Sequence, residues 1–141
     1  MTPGYAVRRG PTLKVATRLT WGQILGAANV FSDKAGTWLV FGSYDYHLYC
    51  VSSDTGEVRW TVETDNYING TPTIQEGLIA FSGCDGLLHV LDAGTGKEEK
   101  TIPVGAYIAG SGALVEGTFY VGHYDNEFIA INIDEEAILW R

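Results

Sequence analysis

The feature that most constrains this chain is an ungapped repeat, spaced by 40 residues, over its last hundred or so positions. Trp38-Leu39-Val40-Phe41-Gly42 returns as Leu78-Ile79-Ala80-Phe81-Ser82 and again as Thr118-Phe119-Tyr120-Val121-Gly122. Asp45, Asp85 and Asp125 share one repeat position, Gly70 and Gly110 a second, Gly77 and Gly117 a third, Trp60 and Trp140 a fourth. A period of about 40 to 45 residues filled by short strands marks a propeller or an array. Such repeats are scaffolds and leave the function open.

One period, read from Ile68, resolves into four strand-like pieces. Thr71 to Ile74 follows Asn69-Gly70, and Leu78 to Ser82 follows the turn Gln75-Glu76-Gly77. Leu87 to Asp92 follows Gly83-Cys84-Asp85-Gly86, where Asp-Gly is a strong hairpin signal. The fourth piece runs from about Lys97 to Val104. The continuous apolar runs of the second strands fit sheets covered on both faces. The outer strand, Glu57 to Glu63, intersperses charge that discourages edge pairing. The expected fold class is therefore all-β: β-propeller blades of four antiparallel strands, about three 40-residue repeats.

The pattern also extends backwards. Thr20 to Gly26 aligns with Thr64 to Gly70, a few extra residues around Ser32 to Ala35 lengthen the first inner turn, and Leu13 to Leu19 reads as a spare N-terminal outer strand. This divides the chain into a basic arm, 1–12, and repeats over 13–141, with blades at about 20–63, 64–103 and 104–141. Three blades leave two raw flanks, and large exposed apolar faces are normally covered. The expectation is a homo-oligomer, dimer or trimer, closing a ring by heterologous contacts, or a part of a longer propeller.

Charge excludes some partners. The net charge is −8, but Arg8, Arg9, Lys14 and Arg18 stand in a first stretch of twenty residues without an acid, leaving −12 on the remainder. An acidic body argues against nucleic acid, where affinity rests on Lys and Arg. No apolar run has the length to cross a bilayer, so no membrane insertion is expected. The two cysteines, Cys50 and Cys84, occupy different repeat positions and suggest neither a disulfide framework nor a zinc site. No export signal is visible in Met1 to Gly10, and the compartment stays unknown.

The junction of third and fourth strands reads Cys50-Val-Ser-Ser-Asp-Thr55-Gly56-Glu-Val-Arg-Trp60, then Val90-Leu-Asp92-Ala-Gly-Thr95-Gly96-Lys-Glu-Glu-Lys100, then Ala130-Ile-Asn132-Ile-Asp-Glu-Glu-Ala-Ile-Leu-Trp140. This resembles the tryptophan-docking motif of the pyrroloquinoline-quinone (PQQ)-like β-propeller repeat, roughly Ala-x-Asp-x-x-Thr-Gly-x-x-x-Trp. Phe41 to Tyr49 resembles that family's second and third strands. The resemblance implies that Trp60 and Trp140 dock between blades against Thr-Gly turns such as Thr55-Gly56 and Thr95-Gly96. It also implies a protein often periplasmic or secreted. The pattern departs at Lys100, at Val90 and at Glu135-Glu136, and the middle blade is where docking is most affected.

The resemblance extends to quinoprotein dehydrogenases, whose eight-bladed chains carry PQQ, calcium and a pair of adjacent cysteines. Adjacent cysteines are absent here, so no cofactor, no metal and no catalysis are expected, with a fragment of a PQQ-dependent quinoprotein oxidoreductase as the alternative. His47, His89 and His123 sit at three different repeat positions and will not converge. The candidate binding face is instead a set of loops: those joining strands two and three and those joining one blade to the next leave on the same side. They carry Tyr44, Asp45, Tyr46, Tyr67, Asn69, Tyr107, His123, Tyr124 and Asp125. Tyrosine among short polar residues on a rigid scaffold suits recognition of a protein or peptide.

Overall fold

The computed structural model describes residues 19–141. Every regular element among them is a strand. The first sheet holds β1 (Asn29–Asp33), β2 (Gly36–Gly42), β3 (His47–Ser52) and β4 (Val58–Glu63). The second holds β5 (Thr73–Gln75), β6 (Leu78–Ser82), β7 (Leu87–Asp92) and β8 (Glu98–Pro103). The third holds β9 (Ala113–Val115), β10 (Thr118–Gly122), β11 (Phe128–Asn132) and β12 (Ala137–Trp140). Each is an antiparallel meander with its strands in chain order. The inner strands β1, β5 and β9 lie side by side, so the sheets form consecutive propeller-like blades that are not closed into a ring.

The expected second and third strands of the middle repeat coincide with β6 and β7. The first does not: β5 begins at Thr73 rather than Thr71. Residues just before it bond sideways instead of within their own sheet. The Thr71 amide donates to Ser111 Oγ at 2.8 Å, its own Oγ1 accepts from the Ala27 amide at 3.0 Å, and Pro72 has no amide to give. The extra residues near Ser32 are absorbed differently too. They lengthen β1 and β2, which pair from Asn29↔Val40 to Asp33↔Gly36, and the turn between them stays tight. The basic arm, 1–12, and the spare outer strand up to residue 18 lie outside the described residues.

Two hydrophobic clusters lie between the sheets. Val40, Leu48, Cys50 and Trp60 of the first sheet meet Ile79, Phe81, Leu91 and Ala93 of the second, with Ile68 from the linker between them. Leu88, Val90 and Ile102 of the second sheet meet Phe119, Val121, Ile129 and Ile131 of the third, with Ile108 as the linker residue. Fully burying one such side chain contributes about 1.5–3 kcal/mol. The linker isoleucine works as a peg. A Cβ on Gly42 would collide with the Ile68 side chain, so a glycine there lets Ile68 seat against the β2 backbone.

Each fourth strand carries a register shift at the same repeat position, opposite the third-strand pairs Cys50/Val51, Val90/Leu91 and Ala130/Ile131. A bulge bends its strand and re-aims the residue beside it. That residue is Trp60, Lys100 or Trp140. Trp60 is 9% exposed, donates its indole N–H to the Ala93 carbonyl at 3.0 Å, and covers Gly96 so closely that a Cβ there would lie 2.6 Å from Cδ2. At the next interface Lys100 donates its ammonium to the carbonyls of Ile133 at 3.0 Å and Asp134 at 3.2 Å. Ile133 is the repeat equivalent of Ala93, so one backbone carbonyl position receives an indole in one interface and an ammonium in the next. Glu136, standing where Gly96 stands one repeat earlier, approaches Lys100 at 3.8 Å. The departures at Lys100 and Glu136 thus accompany each other, and the middle blade keeps its cross-link in another chemistry.

Two substitutions compare these links. Trp60→Ala removes a large buried ring and should cost about 3–5 kcal/mol of folding stability. Lys100→Ala removes a partly solvated donor and should cost about 1 kcal/mol. Urea melts of both variants measure the difference.

Candidate binding face

The loops between second and third strands are built from a tight turn whose third residue needs a left-handed backbone. Gly86 (φ +77°) and Asn126 (φ +64°) fit that need, but the first blade places Tyr46 there at φ +74°. For a bulky side chain this conformation is a genuine outlier. Its carbonyl accepts from the Thr64 amide at 2.8 Å and from Thr64 Oγ1 at 3.0 Å, which fixes the loop against the next linker.

The outcome is an aromatic cluster. Tyr44 stacks on Tyr67 with centroids 4.6 Å apart, and Tyr46 meets the same ring edge-on at 5.3 Å. Tyr46 is 39% and Tyr67 41% exposed. In the third blade Tyr107 and Tyr124 are more exposed still, and the Tyr124 amide donates to the Tyr107 carbonyl at 3.0 Å. The same loop-to-linker bond joins Cys84 to Tyr67 at 2.9 Å and Tyr44 to Gln23 at 2.9 Å. The strand-two-to-three loops and the inter-blade linkers therefore meet along one edge of the array.

The polar candidates are placed differently. Asp45 turns inward, accepting from the Trp21 amide at 3.0 Å, the His47 amide at 3.2 Å and the Tyr49 hydroxyl at 2.7 Å. Burial opposes its charge, yet these bonds prevail and hold its pKa below the usual carboxylate value. Burial and the Asp45 bond push Tyr49 up to about 12. Asn69 is half-buried, its Nδ2 on Cys84 Sγ at 3.4 Å and its Oδ1 shut from solvent. The His123 side chain is only 1% exposed, with Nε2 3.2 Å from Glu127 and Nδ1 accepting the Asp125 amide at 3.2 Å. Asp125 is exposed. The displayed surface is thus chiefly tyrosine, and the turn residues beneath it hold the loops in shape.

The residues assigned to blade docking are spread over three places. Gly96 lies under Trp60, and Thr95 caps its turn by donating its amide and hydroxyl to Asp92 at 2.8 and 2.7 Å. Thr55 and Gly56 repeat that turn on the outer flank of the first sheet, where no atom of the described residues comes within 4 Å of a Cβ on Gly56. Trp140 is 48% exposed on the opposite flank, against Tyr120 and Phe128.

One group in the middle blade escaped the sequence reading. His89, in β7, places Nε2 2.8 Å from Asp85 and Nδ1 2.6 Å from Glu98 while stacking on Phe81 at 4.8 Å. Two carboxylate acceptors require both ring nitrogens to carry hydrogen, so the ring is an imidazolium. The signal was present in the repeat: Tyr49 occupies the same position and also bonds the aspartate four residues back. Glu98 was hidden because the bulge brings it opposite Leu91 and so diagonal to His89. Both cysteines are free. Among the described residues no group of three or more His, Cys, Asp and Glu could hold a metal ion.

Burial opposes the charged form of His89, but hydrogen bonds to Asp85 and Glu98 outweigh it and raise the pKa above 6.5. Stability from this group is complete below the unfolded value of 6.5 and is lost as pH rises through the folded one. Asp85 is held below 3.8 by His89 against the effect of burial, so its contribution fades as pH falls through that lowered value. Urea melts should therefore show stability declining on the alkaline side, with a shallower decline in His89→Gln.

Comparison with known proteins agrees with this architecture. A family model described as outer membrane protein assembly factor BamB matches residues 14–101. Similar curated proteins are named beta-alanine-activating enzyme. The Danio rerio protein is 28% identical over 88 residues, covering 57% of this chain and 8% of that protein. The Mus musculus protein is 27% identical over 102 residues, covering 67% and 9%, and the Homo sapiens protein 24% over 102 residues with the same coverage. The chain spans less than a tenth of the length of these relatives. Since the family match takes in more than half of its length, the chain belongs to the family of PQQ-like repeats that carries the assembly-factor description.

Proposed function

We propose that this chain is a non-catalytic PQQ-like scaffold that binds a protein or peptide along its tyrosine-bearing edge and assembles with further copies into a closed ring. The observation that carries the binding half is Tyr46. Its repeat equivalent is Gly86, which takes the same left-handed backbone without strain. A bulky residue there costs about 1–2 kcal/mol. Strain of this kind gathers at functional sites, and here it sets a half-exposed ring beside Tyr44 and Tyr67. Tyrosine gives contact area at low entropic cost and is frequent among binding hot spots.

The ionisable groups support a structural role. His89 is spent on Asp85 and Glu98, His123 is packed beside Glu127, and Asp45 anchors backbone amides. The stretch aligned with this chain is less than a tenth of each matched protein, and a segment of that kind carried in a much larger chain supports a docking role.

Peptides selected from a displayed random library against the folded chain test this reading. Tyr46→Gly should weaken the selected peptides at least about tenfold while leaving folding stability unchanged or up to about 1 kcal/mol higher, because strain is relieved. Undiminished binding by Tyr46→Gly and by Tyr67→Ala would refute it.

A further inference from the structure

The two flanks of the array carry halves of one joint. Inside the chain each interface is made by the same three contacts. The linker isoleucine seats on the preceding sheet: Ile68 over Gly42, and Ile108 in the same position one repeat on. The amide of that isoleucine donates to the preceding turn, Ile68 to Ser43 at 3.3 Å and Ile108 to Gly83 at 3.1 Å. The outer-strand residue then reaches forward, as Trp60 does to Ala93 and Gly96.

On the flank of the third sheet the receiving parts stand open. A cavity of about 220 Å³ is lined by Ala109, Gly110, Gly122, His123 and Tyr124. Gly122 and His123 are the repeat equivalents of Gly42 and Ser43, so the cavity lies where the next linker isoleucine would seat. Gly110 strengthens the point. Its equivalents Gly26 and Gly70 admit no Cβ because the next linker backbone crosses against them, whereas a Cβ on Gly110 meets no atom of the described residues within 4 Å. Trp140 projects from the same flank, half exposed.

On the flank of the first sheet, among the described residues, the complementary parts stand open. Ile24, equivalent to Ile68 and Ile108, is 48% exposed where those are buried. Gly56, equivalent to the Gly96 that Trp60 covers, has no atom of the described residues within 4 Å of its Cβ position. Peg and socket are thus displayed at opposite ends of one molecule.

We infer that a second copy of this chain docks head to tail, its Ile24 filling the cavity at Gly110 and Gly122 while Trp140 of the first copy covers its Gly56. This rests on the self-assembly half of the proposed function and supplies the contact. The joint repeats the internal ones: the Ile24 amide faces the His123 carbonyl, and the Trp140 indole faces the Ser53 carbonyl. Being heterologous, it propagates until a ring closes.

Light scattering of the full chain over a concentration series tests it. The wild type should reach a whole-number multiple of 15.3 kDa. Ile24→Asp, which spoils the peg, and Gly122→Leu, which fills the socket, should each dissociate at least about tenfold more readily. Mixed one to one they should pair, since one retains the socket and the other the peg. Trp140→Ser serves as a second socket-side variant should Gly122→Leu lose its circular dichroism. A wild type that stays at 15.3 kDa, variants that keep the wild-type mass, or a mixture that does not pair would each overturn the inference. Tyr46→Gly should leave the mass unchanged, so failure of this joint and failure of peptide binding are read separately.

Discussion

Everything in this structure depends on one sheet seating a side chain on the backbone of the next. A four-stranded meander of about 30 residues cannot bury both faces by itself, and ordering its backbone costs about 1–2 kcal/mol per residue. The return comes from lateral packing, with Ile68 over Gly42, Ile108 in the equivalent seat, and whole faces of leucine, isoleucine and valine meeting between sheets. Small residues decide how near the sheets come. Stability is then a sum of interfaces rather than a property of one core, as expected of a repeat array.

Within that frame the repeat tolerates exchange of chemistry at fixed geometry. The bulge in the fourth strand presents residue 60, 100 or 140 to the following sheet whatever its identity. Trp60 uses area and one neutral hydrogen bond over a glycine; Lys100 uses charge-assisted bonds and a glutamate in place of that glycine. Position 49 behaves alike. Tyr49 and His89 both serve the aspartate of their turn, one as a phenol and one as an imidazolium, while Ile129 is a buried apolar residue.

The architecture was legible because it rests on period and apolar runs. The spacing of 40 and the Asp-Gly and Asn-Gly turns gave the strand order and, for β6 and β7, the boundaries. Local bonds that cross between blades were not legible. Nothing in Thr71-Pro72 announces that the Thr71 amide goes to Ser111, so β5 starts two residues later than its pattern suggests. The bulge left no mark in the residue types, and with it Glu98 stayed hidden from His89. The binding face was half legible. The tyrosines stand out by type and turn position, but only the folded structure shows Asp45 hydrogen-bonded and Asn69 and the His123 ring turned away from solvent. Only the backbone, too, shows Tyr46 strained where Gly86 is relaxed.

The lateral seat is best tested by proton NMR. Nuclear Overhauser contacts should join the Ile68 methyls to the Gly42 α protons, and the Ile108 methyls to the Ser82 side chain, while the Ile24 methyls show no such contact in dilute monomer. Absence of both internal contacts in the folded chain would contradict the account, because sheets without those seats would stand apart with their apolar faces in water.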